Sequence, residues 1–349
     1  MNFSYTSVQD AVYFCYESIN NSCYKETRPI VSIATRAPMY ILLLVTVAVT
    51  VCGNLLVIIS ISHFKQLHTP TNYLTLSLAV VDFLLGGFIM PPSMIRTIET
   101  CWYFGELFCK IHTSTDVMLS TASILHLSFI SVDRYYAVCH PLNYQTKITV
   151  FVTLNMILVS WILSAMVGFG MIFLGLNIKG IEDFYYKNLN CVGSCTLIQS
   201  EASSMVSSLL SFYIPGLVMI GIYVKIFKVA KRQARSIRDL SEQRATATDN
   251  KNMASSKRER KAAKTLATVM GVFLVCWLPF FVCNIIDPIL AFSTPPSLVD
   301  ALVWFGYLNS TFNPLVYGFF YSWFRKALKI IAYGKIFQNN SSRTRLFIE

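Results

Sequence analysis

The chain has 349 residues, of which 54% are hydrophobic and 13% are charged, and its mean hydropathy is +0.52. Soluble domains carry about 25% charged residues, so this composition excludes a soluble globular protein and indicates a membrane protein. The net charge of +11 is concentrated in one basic block between hydrophobic segments, which argues against a nucleic-acid partner.

Runs with little or no charge recur along the whole chain, and each exceeds the ~20 residues that a helix needs to cross a bilayer. They cover residues 37–62, 73–95, 111–132, 149–178, 202–224, 265–286 and 301–324. The predicted fold is therefore an all-α membrane protein, a seven-transmembrane helix bundle embedded in membrane lipid.

The strongest basic block, residues 228–264, connects the fifth run to the sixth. Basic connections stay on the cytoplasmic side, so we expect the amino terminus outside the plasma membrane. Acceptor patterns for N-glycosylation begin at Asn2 and Asn20 and agree with this orientation, because such sites are used only in the secretory lumen.

Six of the ten cysteines fall on the predicted outer side, where the compartment is oxidising. Six cysteines can form three disulfides in 15 different ways, and the sequence does not choose among them. These cysteines are Cys15, Cys23, Cys101, Cys109, Cys191 and Cys195.

The second run contains one acid, Asp82, in apolar surroundings. Its candidate partners are hydroxyls and amides of other runs, namely Ser123, Asn309, Ser310 and Asn313. Such oxygen donors suit a sodium ion, which would act as an allosteric modulator, and no other metal or cofactor is indicated. They suit a hydrogen-bond network that packs the bundle equally well, so both interpretations stay open.

The third run begins near a second acid, Asp116. An ionisable group inside a membrane helix costs roughly 2.5–3.5 kcal/mol on insertion scales, so it normally faces a cavity or a partner. Ser120 and Ser123 lie one and two turns further on the same face. We therefore favour a ligand-facing acid over one that is solvated or paired within the protein at the outer surface.

Polar and aromatic side chains follow helical spacing in the fifth, sixth and seventh runs. Three hydroxyls precede Pro215 in the fifth run, and an aromatic stripe ending in an amide follows the 0, 3, 4, 7 pattern in the sixth. Two aromatic residues one turn apart on the seventh run could close the box. An aromatic stripe is usually core, but opposite an unpaired acid it suits an organic cation. The residues are Ser207, Ser208, Ser211, Trp277, Phe280, Phe281, Asn284, Trp304 and Tyr307.

Beyond the last run, apolar and basic residues alternate in a pattern that predicts an amphipathic helix on the inner membrane face. The predicted organisation is an extracellular segment (1–36), a receptor bundle (37–321), this amphipathic helix (322–337) and a cytoplasmic tail (338–349).

Short motifs recur in a fixed order along the predicted helices. They are Gly53-Asn54, Asp82, Cys109, Asp133-Arg134-Tyr135, Trp161, Cys276-Trp277-Leu278-Pro279 and Asn313-Pro314 through Tyr317. Each motif alone is weak, but their order is specific, and on these motifs residues 37–337 resemble a rhodopsin-class G-protein-coupled receptor. Within that class the stretches 63–70, 101–105 and 309–324 are similar to the trace amine-associated receptors.

The resemblance implies that Asp116 holds a ligand ammonium and that Trp277 lies beneath the ligand between aromatic walls. It implies disulfides Cys109–Cys195 and either Cys23–Cys191 or Cys15–Cys191. It also implies roles in activation or G-protein coupling for Asp133, Arg134, Tyr135, Leu142, Tyr223, Pro279, Asn313, Pro314 and Tyr317.

The function implied is a receptor, not an enzyme, for arylalkyl monoamines of the phenethylamine or tyramine kind. It would raise cyclic AMP through a stimulatory G protein, with arrestin and receptor kinases as further partners. The fifth run lacks the acid that diamine-binding relatives often carry, which favours a monoamine. His140 and Ser322 depart from the family pattern on the inner side, which puts coupling strength in doubt.

The alternatives are an olfactory receptor for volatile alkylamines and, from another class, an amine transporter. A transporter would favour internal repeats, and none is apparent by eye. A retinal protein is disfavoured because residues 298–321 contain no lysine for a Schiff base.

Overall fold

The computed structural model describes residues 13–19, 21–25, 33–241 and 247–346. Within these residues it contains a bundle of seven long helices and one short helix after it. α1 is Ile33–His63, α2 runs through Pro70–Leu84, Leu85–Ile89 and Met90–Glu99, and α3 is Glu106–Cys139. α4 runs through Val150–Ala165, Met166–Gly170 and Met171–Phe173, and α5 through Glu201–Ser208, Leu209–Tyr213 and Ile214–Ser241. α6 is Ala247–Ile289, α7 is Pro296–Phe320 and α8 is Ser322–Ala332.

α1 to α6 each contain a segment that is long and apolar enough to cross a membrane, by length and composition. α7 is more polar, but its 25 residues span roughly 37 Å at the helical rise, which exceeds the thickness of a bilayer core. The main core lies between α2, α3, α5, α6 and α7, whose inward faces bury the side chains that the helices share.

Three of the helices contain a single π-helical turn, at Leu85–Ile89, Met166–Gly170 and Leu209–Tyr213. Such a turn inserts an extra residue into the helix and changes which side chains face inward beyond it. The turn in α5 includes Ser211, so the register of that helix departs from a regular 3.6-residue repeat at the predicted ligand side.

The outer face is cross-linked by three disulfides, Cys15–Cys101, Cys23–Cys191 and Cys109–Cys195. The second and third are pairings that the family resemblance implied, and the first completes the set that the sequence left open. The strands Tyr13–Phe14 and Tyr24–Lys25 pair as a short antiparallel hairpin, and Cys15 and Cys23 lie next to these strands on the loop side. Cys23 N also donates to Val192 O, which adds the hairpin to the loop between α4 and α5.

The inner face ends in α8, which starts after the extended residue Tyr321 and buries Trp323, Phe324 and Ala327 against the bundle. The following tail folds back on the turn after α1. Ser341 Oγ lies 3.0 Å from His63 Nε2, Leu346 N donates to Gln66 Oε1 at 2.9 Å, and the Leu346 side chain is 1% exposed.

The four predicted segments, from the extracellular segment to the cytoplasmic tail, stay predictions, because helix bounds do not show on which side of a membrane a segment lies. The amphipathic helix ends at Ala332, and a separate short turn, Lys335–Phe337, occupies the rest of the predicted 322–337 segment. The glycosylation predictions at Asn2 and Asn20 lie outside the described residues.

Candidate functional site

Asp116 lies on α3, half-buried in the bundle, and is held by two hydroxyl groups. Tyr307 on α7 donates a hydrogen bond of 2.6 Å to Asp116 Oδ2, and Ser120, one turn along α3, donates to Oδ1 at 3.4 Å. No lysine, arginine or histidine forms an ion pair with Asp116 among the described residues. The carboxylate is therefore positioned by neutral donors and keeps its charge available for a cation.

An aromatic wall from α6 faces this acid. The Trp277 indole is 4% exposed and lies 5.9 Å, centroid to centroid, from both Phe280 and Phe281. Phe281 stacks on Phe212 of α5 at 4.6 Å. Gly306 on α7 allows the close approach of the indole, because a Cβ there would lie 2.7 Å from Trp277 Cε3. The wall is therefore locked in place by α5 and α7.

The serines of α5 are each engaged by another part of the protein. Ser207 Oγ accepts a 3.0 Å hydrogen bond from Gln199 of the outer loop. Ser208 Oγ accepts one of 3.0 Å from Asn284 of α6, and Ser211 Oγ accepts one of 3.3 Å from Thr121 of α3. These bonds tie α5 to its neighbours and occupy part of the hydrogen-bonding capacity that a ligand would otherwise use.

A cavity of about 120 Å³ lies between the acid and the aromatic wall. An apolar cavity of roughly 150 Å³ holds one benzene molecule, so this space suits a single aromatic ring. Nine of the eleven residues predicted to bind ligand line it: Asp116, Ser120, Ser207, Ser211, Trp277, Phe280, Phe281, Asn284 and Tyr307.

The other two predicted residues do not line this cavity. Ser208 is fully buried between α5 and α6, where its hydroxyl accepts the hydrogen bond from Asn284. Trp304 donates from Nε1 to Thr97 Oγ1 at 3.1 Å and lines a second, larger outer cavity of about 600 Å³. It supports Tyr307 by an edge contact, with ring centroids 5.5 Å apart.

The sequence reasoning missed part of the outer rim. Arg96 of α2 pairs with Asp300 of α7 at 3.2 Å and donates to Cys195 O at 2.9 Å, so it joins two helices and the outer loop. The sequence does show one charged residue directly after the second apolar run and one directly before the seventh, and these two positions could have predicted the ion pair. The loop residues Thr196–Gln199 also line the cavity, and nothing in their sequence predicted it.

Comparison with known proteins decides the family. Residues 53–317 match the family described as 7 transmembrane receptor (rhodopsin family). Trace amine-associated receptor 1 of Macaca mulatta is 58% identical over 336 residues, which cover 96% of this chain and 98% of that relative. The human receptor of the same name is 56% identical with the same coverage, and trace amine-associated receptor 4 of Mus musculus is 50% identical over 96% of this chain and 95% of its own.

The chain belongs to the trace amine-associated receptors. It is thus a G-protein-coupled receptor and not an enzyme, and it is a multi-pass protein of the plasma membrane. The comparisons confirm the family and the seven-helix fold that the sequence motifs indicated.

A second polar cluster in this trace amine-associated receptor surrounds Asp82. Ser310 and Asn313 of α7 each donate to its carboxylate at 2.7 Å, and Ser123 of α3 donates at 3.4 Å. The amide of Asn309 is buried without a hydrogen-bond partner among the described residues. Three of the four predicted partners therefore hydrogen-bond to Asp82. The fourth, Asn309, has an amide oxygen that accepts no hydrogen bond from the described residues.

At the inner end of α3, Asp133 and Arg134 form an ion pair of 2.5 Å. Thr71 and Tyr144 donate to Asp133 at 2.9 and 2.8 Å, and Arg134 also contacts Thr71. Burial and the charge of Asp133 raise the pKa of Tyr144, so its phenol stays protonated as a donor. This network keeps Asp133 and Arg134 paired at the end of the bundle that carries α8.

The remaining residues predicted for activation lie near this network or along the inner halves of the helices. Tyr135 lies 5.4 Å from His140, ring to ring, and Leu142 is 95% exposed on the inner surface. Tyr223 is half-buried and Tyr317 is buried. Neither forms a hydrogen bond with Arg134 in the part of the chain that the structure describes. Pro279 and Pro314 lie inside α6 and α7.

Proposed function

We propose that this receptor, with its amino terminus outside the cell, binds a primary arylalkyl monoamine of the phenethylamine or tyramine kind. Binding activates a stimulatory G protein and raises cyclic AMP. The observation that carries the proposal is the Asp116 carboxylate, which lines a ring-sized cavity without a cationic partner among the described side chains. The names of its relatives agree with an amine ligand.

The ligand ammonium pairs with Asp116, and its aromatic ring packs against Phe280 and Phe281. Aromatic faces attract cations and also bury apolar rings, so one wall serves both ends of the ligand. Trp277 packs against the edge of Phe280 and lies two residues before Pro279, the proline inside α6. A ligand that packs better when the indole is displaced favours the active arrangement of α6, because only differential affinity shifts a conformational equilibrium.

At the inner face, activation separates Arg134 from Asp133 and opens a groove for the G protein. An exposed leucine costs little when the receptor is alone and buries apolar area when a partner docks, so Leu142 suits a contact with the G protein. Arrestin and receptor kinases would use the same inner face.

A sodium ion would fit the cluster around Asp82. One carboxylate, two hydroxyls and the unsatisfied amide oxygen of Asn309 are hard oxygen donors of the kind that such a cation prefers. Asp82, Ser123, Asn309 and Ser310 would hold the ion, which would neutralise the buried charge. With the ion bound, the cluster stabilises the packing of α2 against α3 and α7.

The test is a concentration–response measurement of cyclic AMP in cells that express Asp116→Ala or Asp116→Asn at matched surface levels. Loss of one partner of a buried ion pair costs about 3 kcal/mol or more, so potency for phenethylamine should fall at least about 100-fold. Asp183→Asn, an exposed acid of the outer loop, is the matched control and should leave potency unchanged. Unchanged potency in Asp116→Ala would refute the proposal.

A further inference from the structure

Four charged side chains line the cavity between the acid and the aromatic wall: Arg96, Asp116, Asp287 and Asp300. Arg96 and Asp300 pair with each other at 3.2 Å, so they neutralise each other. In the proposed complex Asp116 pairs with the ligand ammonium. Asp287 of α6 is left, and it forms no ion pair with any described residue. The cavity lining therefore carries one negative charge more than a monoamine neutralises.

Asp287 lies at the outer rim of the cavity, on the same face of α6 as the aromatic wall. It follows Phe280 by two helical turns, which is roughly 10 Å along the axis. The residue is half-buried, and its Oδ1 accepts a 3.0 Å hydrogen bond from Thr294 N, which fixes the side chain at the rim. Among the described residues no other hydrogen bond reaches this carboxylate, so Oδ2 can accept from a ligand.

An aromatic ring accompanies this acid. Phe292, in the turn after α6, also lines the cavity and stacks on Phe184 of the loop between α4 and α5, with ring centroids 5.8 Å apart. Phe292 N donates to Asp287 O at 2.9 Å, so the acid and the ring belong to one turn. A carboxylate attracts an organic cation by its charge, and an aromatic ring attracts it by its quadrupole. The rim thus combines the same two kinds of group that Asp116 and the aromatic wall supply deeper in the bundle.

We infer that Asp287 and Phe292 form a second cation subsite, which takes a basic group at the far end of an arylalkylamine. Asp116 pairs with the first ammonium, and the ring packs against the aromatic wall. A short para chain then carries the second cation outward to Asp287. This deepens the proposed function and rests on it. The preference for a monoamine came from the lack of an acid in the fifth apolar run, whereas this acid belongs to α6.

The experiment compares two probes of equal size, phenethylamine with a para aminoethyl group and phenethylamine with a para propyl group. They differ only where an ammonium replaces a terminal methyl. Potency is measured by cyclic AMP at matched surface expression, and binding is measured as the thermal shift of purified full-length receptor. The readout is the ratio of the affinities for the aminoethyl and propyl probes, because every contact that the two probes share cancels from it.

Asp287→Asn removes the charge but keeps the oxygen that accepts from Thr294 N. The ratio should fall at least about threefold, as expected for a partly exposed ion pair, while the affinity for unsubstituted phenethylamine changes less than twofold. Asp287→Glu should keep the preference for the aminoethyl probe. Asp183→Asn, at an exposed acid of the loop between α4 and α5, is the matched control and should leave the ratio unchanged. In the unaltered receptor the ratio should also fall as salt is added, since salt screens a half-exposed pair.

An unchanged ratio in a folded Asp287→Asn receptor that still binds phenethylamine overturns the inference and leaves the proposed function intact. Should that variant fail to fold, the unaltered receptor decides, and a ratio that does not respond to salt overturns the inference. If phenethylamine binds Asp116→Ala as tightly as the unaltered receptor, the proposed function fails and the inference fails with it.

Discussion

The phenol of Tyr307 and the carboxylate of Asp116 share a hydrogen bond of 2.6 Å, so α7 orients the acid that α3 supplies. Tyr307 is fully buried, and its ring packs between Trp277 and Trp304. Tyr307 thus contacts both the acid and the aromatic wall, so a substitution at Tyr307 should affect the position of both.

Tyr307→Phe removes the hydroxyl and keeps the ring. A hydrogen bond to a charged group contributes about 1.5–3 kcal/mol, so the freed carboxylate should lose orientation and amine potency should fall at least about tenfold. The measurement is a cyclic AMP concentration–response curve at matched surface expression. Tyr103→Phe, at a tyrosine that is 43% exposed, serves as control. Equal potency in the two variants would show that Tyr307 does not position the acid.

Gly306→Ala tests the close packing of Trp277. The added methyl would lie 2.7 Å from the buried indole, which must then move. Overpacking of this kind costs about 1–3 kcal/mol, so both the melting temperature and the maximal amine response should fall. Gly318→Ala in the same helix is the control, because its nearest neighbour would be 4.0 Å away. A normal response in a fully stable Gly306→Ala receptor would contradict a fixed position of Trp277.

Leu346→Ala tests the docking of the tail on the inner face. The leucine is 1% exposed in a cluster with Tyr317 and Trp323, and its truncation should loosen the tail. Trypsin should then cleave after Arg343 and Arg345 several times faster in purified receptor. Phe337→Ala, at a side chain that is 91% exposed, should leave the cleavage rate unchanged. Equal rates in all three proteins would argue against a docked tail.

Asp82→Asn tests the sodium interpretation. The substitution keeps the shape and one acceptor oxygen but replaces the other oxygen by a donor and removes the charge that would hold a cation. In unaltered receptor, replacing choline by sodium at constant ionic strength should lower agonist affinity, and Asp82→Asn should abolish that difference. Asp183→Asn should retain it. If the unaltered receptor shows no sodium dependence, the cluster is a packing network only.

Part of this architecture could be predicted from the sequence, because the length of an apolar run and the spacing of side chains along one helix are local properties. The charge-free run 37–62 predicted α1 to within a few residues, and the 0, 3, 4, 7 spacing from Trp277 to Asn284 placed those side chains on one cavity wall. In contrast, the charge-free run 301–324 continues past Phe320, where α7 ends, because the extended residue Tyr321 changes no charge. The predicted boundary at 321/322 came instead from the alternating apolar and basic residues that follow.

The side chains that lie elsewhere than the spacing predicted share one feature, which is contact with a distant segment of the chain. Trp304 was expected in the aromatic box, but its indole bonds to Thr97 of α2, a partner that no spacing on α7 reveals. Ser208 lies at the α5–α6 interface, where its hydroxyl accepts a hydrogen bond from Asn284, 76 residues further along the chain. Gln199 entered from a loop whose path is set by the Cys109–Cys195 disulfide rather than by its own sequence.

The hairpin on the outer face has a consequence for biosynthesis. Cys15 and Cys23 lie side by side, with Cys15 N donating to Cys23 O at 3.0 Å, yet their disulfide partners are 86 and 168 residues further along the chain. Both thiols emerge first; two helices, α1 and α2, are made before the partner of Cys15, and four helices are made before the partner of Cys23. A bond between these two thiols is the non-native disulfide that forms most readily, so native pairing depends on thiol–disulfide exchange once Cys101 and Cys191 have been made.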